Sequence, residues 1–312
     1  MSPCVALITE PDHPRLRPDD QHLVAPLAQL GIEAEPVPWG AALDPARHSL
    51  AVLRSPWDYF HHAERFLAWC EALPVPLVNP ASVVRWNAHK RYLLELQRAG
   101  AARISPTVIL GAEPAVEGVA ALAAHLHGRA SDDPLRRLVV KPTVSGGAYG
   151  TFVLDPADPG ADARLAAAEA AGDVLVQRYE RRLVDAGEWS LVFIDGALSH
   201  TILKRPRPGD FRVQAEHGGT VAAREPSARL RADAARVLRH VERLQQGAGA
   251  GSSAPGAGAK PLAYARVDGF EAADGGLVLV ELELIEPELF LRFGGAEALA
   301  RALAARIVSP RR

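Results

Sequence analysis

Tyr264-Ala265-Arg266-Val267-Asp268, a turn at Asp274-Gly275-Gly276, and then Leu277-Val278-Leu279-Val280-Glu281-Leu282-Glu283-Leu284 form the stretch on which the fold turns. Two apolar runs flanking a Gly-rich turn read as paired strands. Strict period-two alternation in the second run places Val278, Val280, Leu282 and Leu284 on one face and Leu277, Leu279, Glu281 and Glu283 on the other. The two glutamates are then neighbours, about 7 Å apart at Cα. If the strands pair as a hairpin, Asp268 joins them from the partner strand. Three adjacent carboxylates repel one another unless they are protonated or neutralised. A hard divalent ion with oxygen ligands, Mg2+ being the usual one, would neutralise them. A solvated strand face accounts for the same residues, and both readings stand at this stage.

Upstream, Leu138-Val139-Val140-Lys141-Pro142 ends a strand in a lysine, and Ser145-Gly146-Gly147-Ala148-Tyr149-Gly150-Thr151 follows at once. Glycines allow the positive φ and close approach by which backbone N–H groups meet phosphate oxygens. The pattern is neither a Walker A loop nor a dinucleotide fingerprint, and a plain hairpin connection would also explain it. Lysine is scarce: of 35 basic residues only Lys90, Lys141, Lys204 and Lys260 are lysines. A Lys beside a glycine loop therefore suggests a need for a compact ammonium rather than a planar fork.

The rest of the chain supplies the scaffold. Short strands at Cys4–Thr9, 32–37, 50–54 and 77–79 alternate with helical segments, which predicts a small doubly wound parallel sheet. A helix over His89–Ala99, ended by Gly100, leads to strands at 104–110, 138–141, 151–154 and 174–178, with helices at 116–127 and 161–171. From Glu188 the pattern turns antiparallel, because 189–194 and 197–203 flank Asp195-Gly196, a two-residue hairpin signal. A helix at 227–245 precedes Gly247–Lys260, a Gly/Ala/Ser/Pro tract read as a flexible surface loop. Arg54 stands at the carboxyl end of a parallel strand, where open α/β sheets bind ligands, so it is assigned to clamp a substrate carboxylate. His61 and His62 have no nearby Cys or His partner and read as surface residues.

Composition sets bounds. With 312 residues, 48% hydrophobic and 23% charged residues and a net charge of -2, the chain reads as an ordinary globular protein of two or three units, with nothing pointing to nucleic acid. No apolar run reaches membrane-spanning length and the first ten residues lack signal-peptide character, so a cytoplasmic protein is expected. Two cysteines without a CxxC pattern support neither a disulfide framework nor a zinc site. Oligomeric state is open, a homodimer included.

Taken in order, these pieces resemble the ATP-grasp superfamily over nearly the whole chain. The resemblance implies an α/β and α+β fold, with a pre-ATP-grasp domain at 1–88, a lid lobe at 89–180 and a core lobe with a metal site at 181–312. It implies ATP and Mg2+ as cofactors and a small-molecule carboxylate as substrate. Lys90 and Lys141 match the two nucleotide lysines, and Ser145, Gly146, Gly147 and Gly150 the mobile loop over the phosphates. Gln177, Tyr179 and Glu180 match the adenine-reading hinge, and Glu188 the acid that holds the ribose. Arg266 matches a phosphate-contacting arginine, and Asp268, Glu281 and Glu283 the metal ligands. Many members carry Asn where Glu283 stands. Lys141 and Arg266 would neutralise the transferring group, and Arg212 would stabilise a tetrahedral intermediate, although an exposed loop arginine is an equal account of Arg212. Arg54-Ser55-Pro56-Trp57-Asp58-Tyr59, Asn79-Pro80, Arg85-Trp86-Asn87 and Glu283-Leu284-Ile285-Glu286-Pro287-Glu288-Leu289-Phe290 resemble the branch that holds the D-cycloserine-forming cyclo-ligase, which closes O-ureido-D-serine with ATP. The expected activity is ATP-dependent carboxylate–amine ligation through an acyl phosphate. A phosphotransferase, or a nucleotide-binding module without ligation, are the alternatives.

Overall fold

In the computed structural model, residues 2–111, 118–128, 133–207, 218–248 and 260–307 are described. The first sheet contains β1 (Cys4–Thr9), β2 (Glu33–Pro38), β3 (His48–Ser55) and β4 (Leu77–Val78), all parallel in the order β2-β1-β3-β4. All six residues of β1 are buried, as a central parallel strand covered on both faces requires. Helices α1 (Val24–Gln29) and α2 (Ala63–Glu71) flank this sheet. The helix expected over His89–Ala99 starts later, and a helix not expected from the sequence precedes it. Helix α3 (Ala81–Ala88) ends where His89 turns extended, and α4 (Tyr92–Arg98) begins a few residues later. In the gap, the Lys90 N–H donates to Thr143 O at 2.8 Å instead of to a helical carbonyl.

A second sheet holds β5 (Thr107–Leu110), β6 (Leu138–Pro142), β7 (Phe152–Leu154) and β8 (Val174–Arg178), antiparallel throughout in the order β5-β8-β6-β7. Helices α5 (Gly118–His127) and α6 (Ala161–Ala171) pack on it through Leu122, Leu126 and Leu165. The short α7 (Arg181–Ala186) leads to the third sheet.

That sheet is also antiparallel: β9 (Glu188–Ile194), β10 (Ala197–Arg205), β11 (Thr220–Ala223), β12 (Tyr264–Glu271) and β13 (Leu277–Glu283), in the order β11-β10-β9-β12-β13. The β9–β10 turn has Asp195 at φ 52° and Gly196 at φ 77°, the left-handed pair that a tight hairpin demands. Helix α8 (Ala228–Ala248) lays Leu230, Val237, Leu238 and Val241 onto the sheet, and α9 (Ala296–Ala304) packs its apolar face toward β9 and the first sheet. The 247–260 tract falls mostly outside the described residues.

One correction bears on the site. Strict alternation in β13 fails, because the β12–β13 register shifts between Asp268 and Gly269: Asp268 faces Glu281, whereas Gly269 faces Leu279. Val280 is the extra residue of a bulge. Leu277 and Leu279 therefore join Leu282 and Leu284 in the same core cluster, instead of sharing a face with the glutamates. Gly269 makes this fit, since a Cβ there would run into the Val278 carbonyl and Leu277.

Among the described residues no named strand pairs with the outer side of β13, where Ile104 makes an isolated parallel bridge to Leu279, yet its polar groups are bonded. Arg103 O accepts from Leu279 N at 2.8 Å, and Tyr92 Oη accepts from Leu282 N at 3.0 Å. Asn87 donates to Leu282 O and accepts from Leu284 N, at 2.8 and 2.9 Å. Asn79 donates to Leu284 O and Tyr264 O, both at 2.9 Å, and accepts from Ala263 N at 3.0 Å. These amides join the first part of the chain to the strand that carries Glu281 and Glu283.

Candidate active site

The second and third sheets enclose a cavity of about 550 Å3. Its floor follows from register. Directly opposed residues in antiparallel strands share a face. Glu188 stands opposite Lys204, Ser190 opposite Asp268, Asp268 opposite Glu281 and Arg266 opposite Glu283. All of these except Ser190 line the cavity.

Arg266 is the internal counterion of this face. Its Nε and Nη2 hold Asp268 at 3.0 and 2.9 Å, Nη2 also contacts Glu283, and Nη1 donates to Glu288 O at 2.8 Å. Ser190 donates to Asp268 Oδ1 at 2.6 Å. Lys204 lies 2.8 Å from Glu188 and 3.6 Å from Asp268, while Lys90 reaches Glu281 at 3.1 Å. Burial pushes every one of these carboxyls up, and the cations decide how far. Against burial, Arg266 and Lys204 hold Asp268 below the usual range, and Lys90 and Lys141 do the same for Glu281. Glu283 goes the other way, to about 8, because burial and the charges of Asp268 and Glu281 outweigh Arg266. The protein's own cations thus settle Asp268 and Glu281 but not Glu283, and a divalent ion such as Mg2+ suits this set of hard oxygen donors.

The roof carries the glycine loop. Gly147, Ala148 and Gly150 all have positive φ, and at Gly150 a Cβ would sit 2.8 Å from Pro142 Cγ. The Lys90 ammonium donates to Ser145 O at 2.7 Å, which ties this loop to the Glu281 side of the floor. Tyr149 at the loop tip packs on Phe60 and His61, with ring centroids 5.1 and 4.8 Å apart. Lys141 is buried, its pKa is lowered by desolvation, and among the described residues no carboxylate pairs with it. A buried ammonium without a partner, beneath a loop of this kind, is placed to meet an anion such as phosphate.

At the expected hinge, Gln177, Tyr179 and Glu180 all line the cavity, but much of their polar capacity is used within the protein. Gln177 Nε2 donates to Thr107 Oγ1 at 2.9 Å, the Tyr179 N–H to Arg137 O at 3.0 Å, and Glu180 accepts from Arg178 at 2.7 Å. Glu188 is likewise engaged by Lys204, and burial raises its pKa.

Arg54 requires a correction. It is 0% exposed, does not line the cavity, and spends its guanidinium on Asp20 at 2.9 Å and Pro287 O at 2.9 Å. The strand end was right and the depth was not: the side chain fastens β3 to the segment after β13. Arg212 falls outside the described residues. His61 and His62 are exposed, as expected. Sequence reading missed Lys204 and gave Glu286 no role. The scarcity of lysine was a usable signal for Lys204, since three of the four lysines line this cavity and Lys260 instead donates to Ala305 O near the end of α9.

Comparison with known proteins bears on the family and the fold. Residues 5–79 match the family described as D-cycloserine synthetase DcsG, N-terminal domain. The cycloserine biosynthesis protein DcsG of Streptomyces lavendulae is 33% identical over 314 residues, which covers 97% of this chain and 98% of that protein. The crystal structure of D-cycloserine synthetase DcsG superposes with a TM-score of 0.78 at 31% identity, covering 98% of this chain and all 100% of that one. A RimK domain ATP-grasp protein from Sphaerobacter thermophilus shares the fold with a TM-score of 0.61 at 20% identity, over 98% of this chain and 100% of its own. With a relative 33% identical over nearly its whole length, this chain belongs to the family of the cycloserine biosynthesis protein DcsG, and it shares the fold of ATP-grasp proteins.

Proposed function

We propose that the chain is an ADP-forming carbon–nitrogen ligase that activates the carboxylate of a small amino-acid-like substrate. The observation that carries this is the meeting, in one cavity, of the Asp268–Glu281–Glu283 face with the unpaired Lys141 beneath the glycine loop. Asp268, Glu281 and Glu283 are the residues that would hold Mg2+, which when bound supplies charge to the ATP phosphates. Lys90, Lys141 and Arg266 neutralise the transferring phosphoryl group. The Ser145–Gly150 segment covers it and excludes water. In the reaction, a carboxylate oxygen attacks the γ-phosphorus and ADP leaves. A nitrogen lone pair then attacks the acyl carbon, expels inorganic phosphate and gives up a proton. No side-chain nucleophile is needed. We assign residues 1–88 as the pre-ATP-grasp domain, 89–180 as the lid lobe and 181–312 as the core lobe with the metal site.

Full-length similarity to a cycloserine biosynthesis protein supports O-ureido-D-serine as the substrate and D-cycloserine as the product. The attacking nitrogen would then be the oxygen-bound ureido nitrogen of the same molecule, and the carbamoyl group it carries is hydrolysed away by water as carbon dioxide and ammonia, leaving D-cycloserine. Incubation with ATP, Mg2+ and O-ureido-D-serine should yield ADP and D-cycloserine without an added amine, and hydroxylamine should trap a hydroxamate. AMP formation, a stable phosphorylated product, or an absolute requirement for a second amine would each overturn the cyclo-ligase assignment.

A further inference from the structure

Glu286 is a carboxylate that the proposed chemistry leaves without a task. It faces the cavity just after β13, where Trp57 Nε1 donates to its backbone carbonyl at 3.1 Å. Among the described residues its side chain makes no ion pair and accepts no hydrogen bond from another side chain. Its surroundings are specific. A methyl group built on Gly146 would lie 3.9 Å from Glu286 Oε1 and 3.5 Å from the Phe60 ring, so the carboxylate, the glycine loop and an aromatic face meet at one point. Tyr149 stacks on the same Phe60. A carboxylate beside aromatic rings, enclosed and short of a counterion, is a receptor for a small organic cation. Trp57, Tyr59 and Phe60 follow β3, the neighbour of β1 in the order β2-β1-β3-β4, and the crevice at that reversal of strand order is where open parallel sheets hold ligands.

Resting on the ligase reading above, we propose that Glu286 binds the α-ammonium of the substrate, which restricts the enzyme to amino acids and leaves the carboxylate to be drawn toward Lys141. An α-amino acid carries its cation next to its reacting carboxylate, and Glu286 stands three residues beyond Glu283 on the same wall. Glu283 and Glu286 line the same cavity, and after burial the charge of Glu283 helps to push the Glu286 carboxyl up.

Calorimetry with a non-hydrolysable ATP analogue and Mg2+ tests this without turnover. The probes are O-ureido-D-serine and D-serine, each compared with its counterpart lacking the amino group, 3-(ureidooxy)propionate and 3-hydroxypropionate. Wild type should bind the amino acids at least tenfold more tightly, and Glu286→Gln should close that gap while leaving affinity for the nucleotide analogue unchanged. Glu286→Asp, which keeps the charge, should retain part of the discrimination. Equal binding of both kinds of ligand by wild type, no binding of either amino acid, or full discrimination in Glu286→Gln would overturn the proposal. So would a Glu286→Gln variant that shifts only the Mg2+ concentration for half-maximal ADP release, since Glu286 would then be a metal ligand. If wild type binds amino acids through the ammonium but releases no ADP, the ligase reading fails and this one stands. If it releases ADP equally from carboxylates without an ammonium, the reverse holds.

Discussion

At the scale of single residues, the cavity sets a cluster of buried carboxylates against Arg266, Lys90, Lys141 and Lys204. Replacing Glu281 and Glu283 together by Gln keeps the shape and removes two of the three carboxylates that would hold Mg2+. ADP formation should fall by roughly 100-fold or more, with the circular dichroism spectrum intact. Glu286 gives a pH test. Burial, and then repulsion from Glu283 and Glu281 against the attraction of Lys90, push its carboxyl up to about 8. Its folded-state value thus exceeds its unfolded one, so its contribution is fully present below the usual carboxylate range and is lost as pH rises through about 8. In the ligand-free protein, the melting temperature of wild type should fall relative to Glu286→Gln between about pH 5 and 9. The cysteines are a third case. Cys70 is buried and its thiol is pushed up to about 12 by desolvation, and Cys4, 1% exposed, is raised as well. A thiol-specific reagent at pH 8 should label neither in the native protein and both after denaturation. Residue types were legible where chemistry restricts them, as with Lys141 below a glycine loop. Depth was not: Arg54 and a cavity-facing arginine look alike in sequence, because burial of a charged side chain is decided by a partner 34 positions away, Asp20.

At the scale of elements, strand periodicity located β12 and β13 but could not reveal the bulge, since Val280 fits either face equally well. The visible trace of it is Gly269, the one residue type that leaves room for the Val278 carbonyl. Gly269→Ala should therefore destabilise the protein by about 2 kcal/mol, read from denaturant unfolding, and should cut activity further because Asp268 sits beside the displaced backbone. Wild-type activity in that variant would show that the bulge does not position Asp268. The late start of α4 escaped sequence reading for a similar reason. His89, Lys90 and Arg91 are all acceptable helix residues, and only the long-range bond from Lys90 N to Thr143 O draws the chain out of the helix. That departure is what brings Lys90 to the floor of the cavity.

At the scale of the whole molecule, the apolar cores do not follow the order of the chain. Leu93 and Leu96 of α4 share a cluster with Leu175 of β8, Leu191 of β9 and Val237 of α8, and Val5 and Leu50 of the first sheet share another with Val192 and α9. The parallel and antiparallel sheets were readable one by one from local pattern, but their assembly was not, because it depends on contacts more than a hundred residues apart. Asn79 concentrates that dependence. Its amide is 1% exposed and serves Tyr264 O, Leu284 O and Ala263 N. Asn79→Ala strands three buried polar groups and should cost on the order of 3 kcal/mol, read from equilibrium unfolding. The row of side chains along the outer side of β13 has one more effect. Leu277–Leu284 is a long, apolar terminal strand, the type of edge along which separate molecules recruit one another into extended sheets. With Arg103, Tyr92, Asn87 and Asn79 occupying hydrogen-bonding positions along it, that edge is covered among the described residues, so the amides that steady this strand also guard it against strand pairing between molecules.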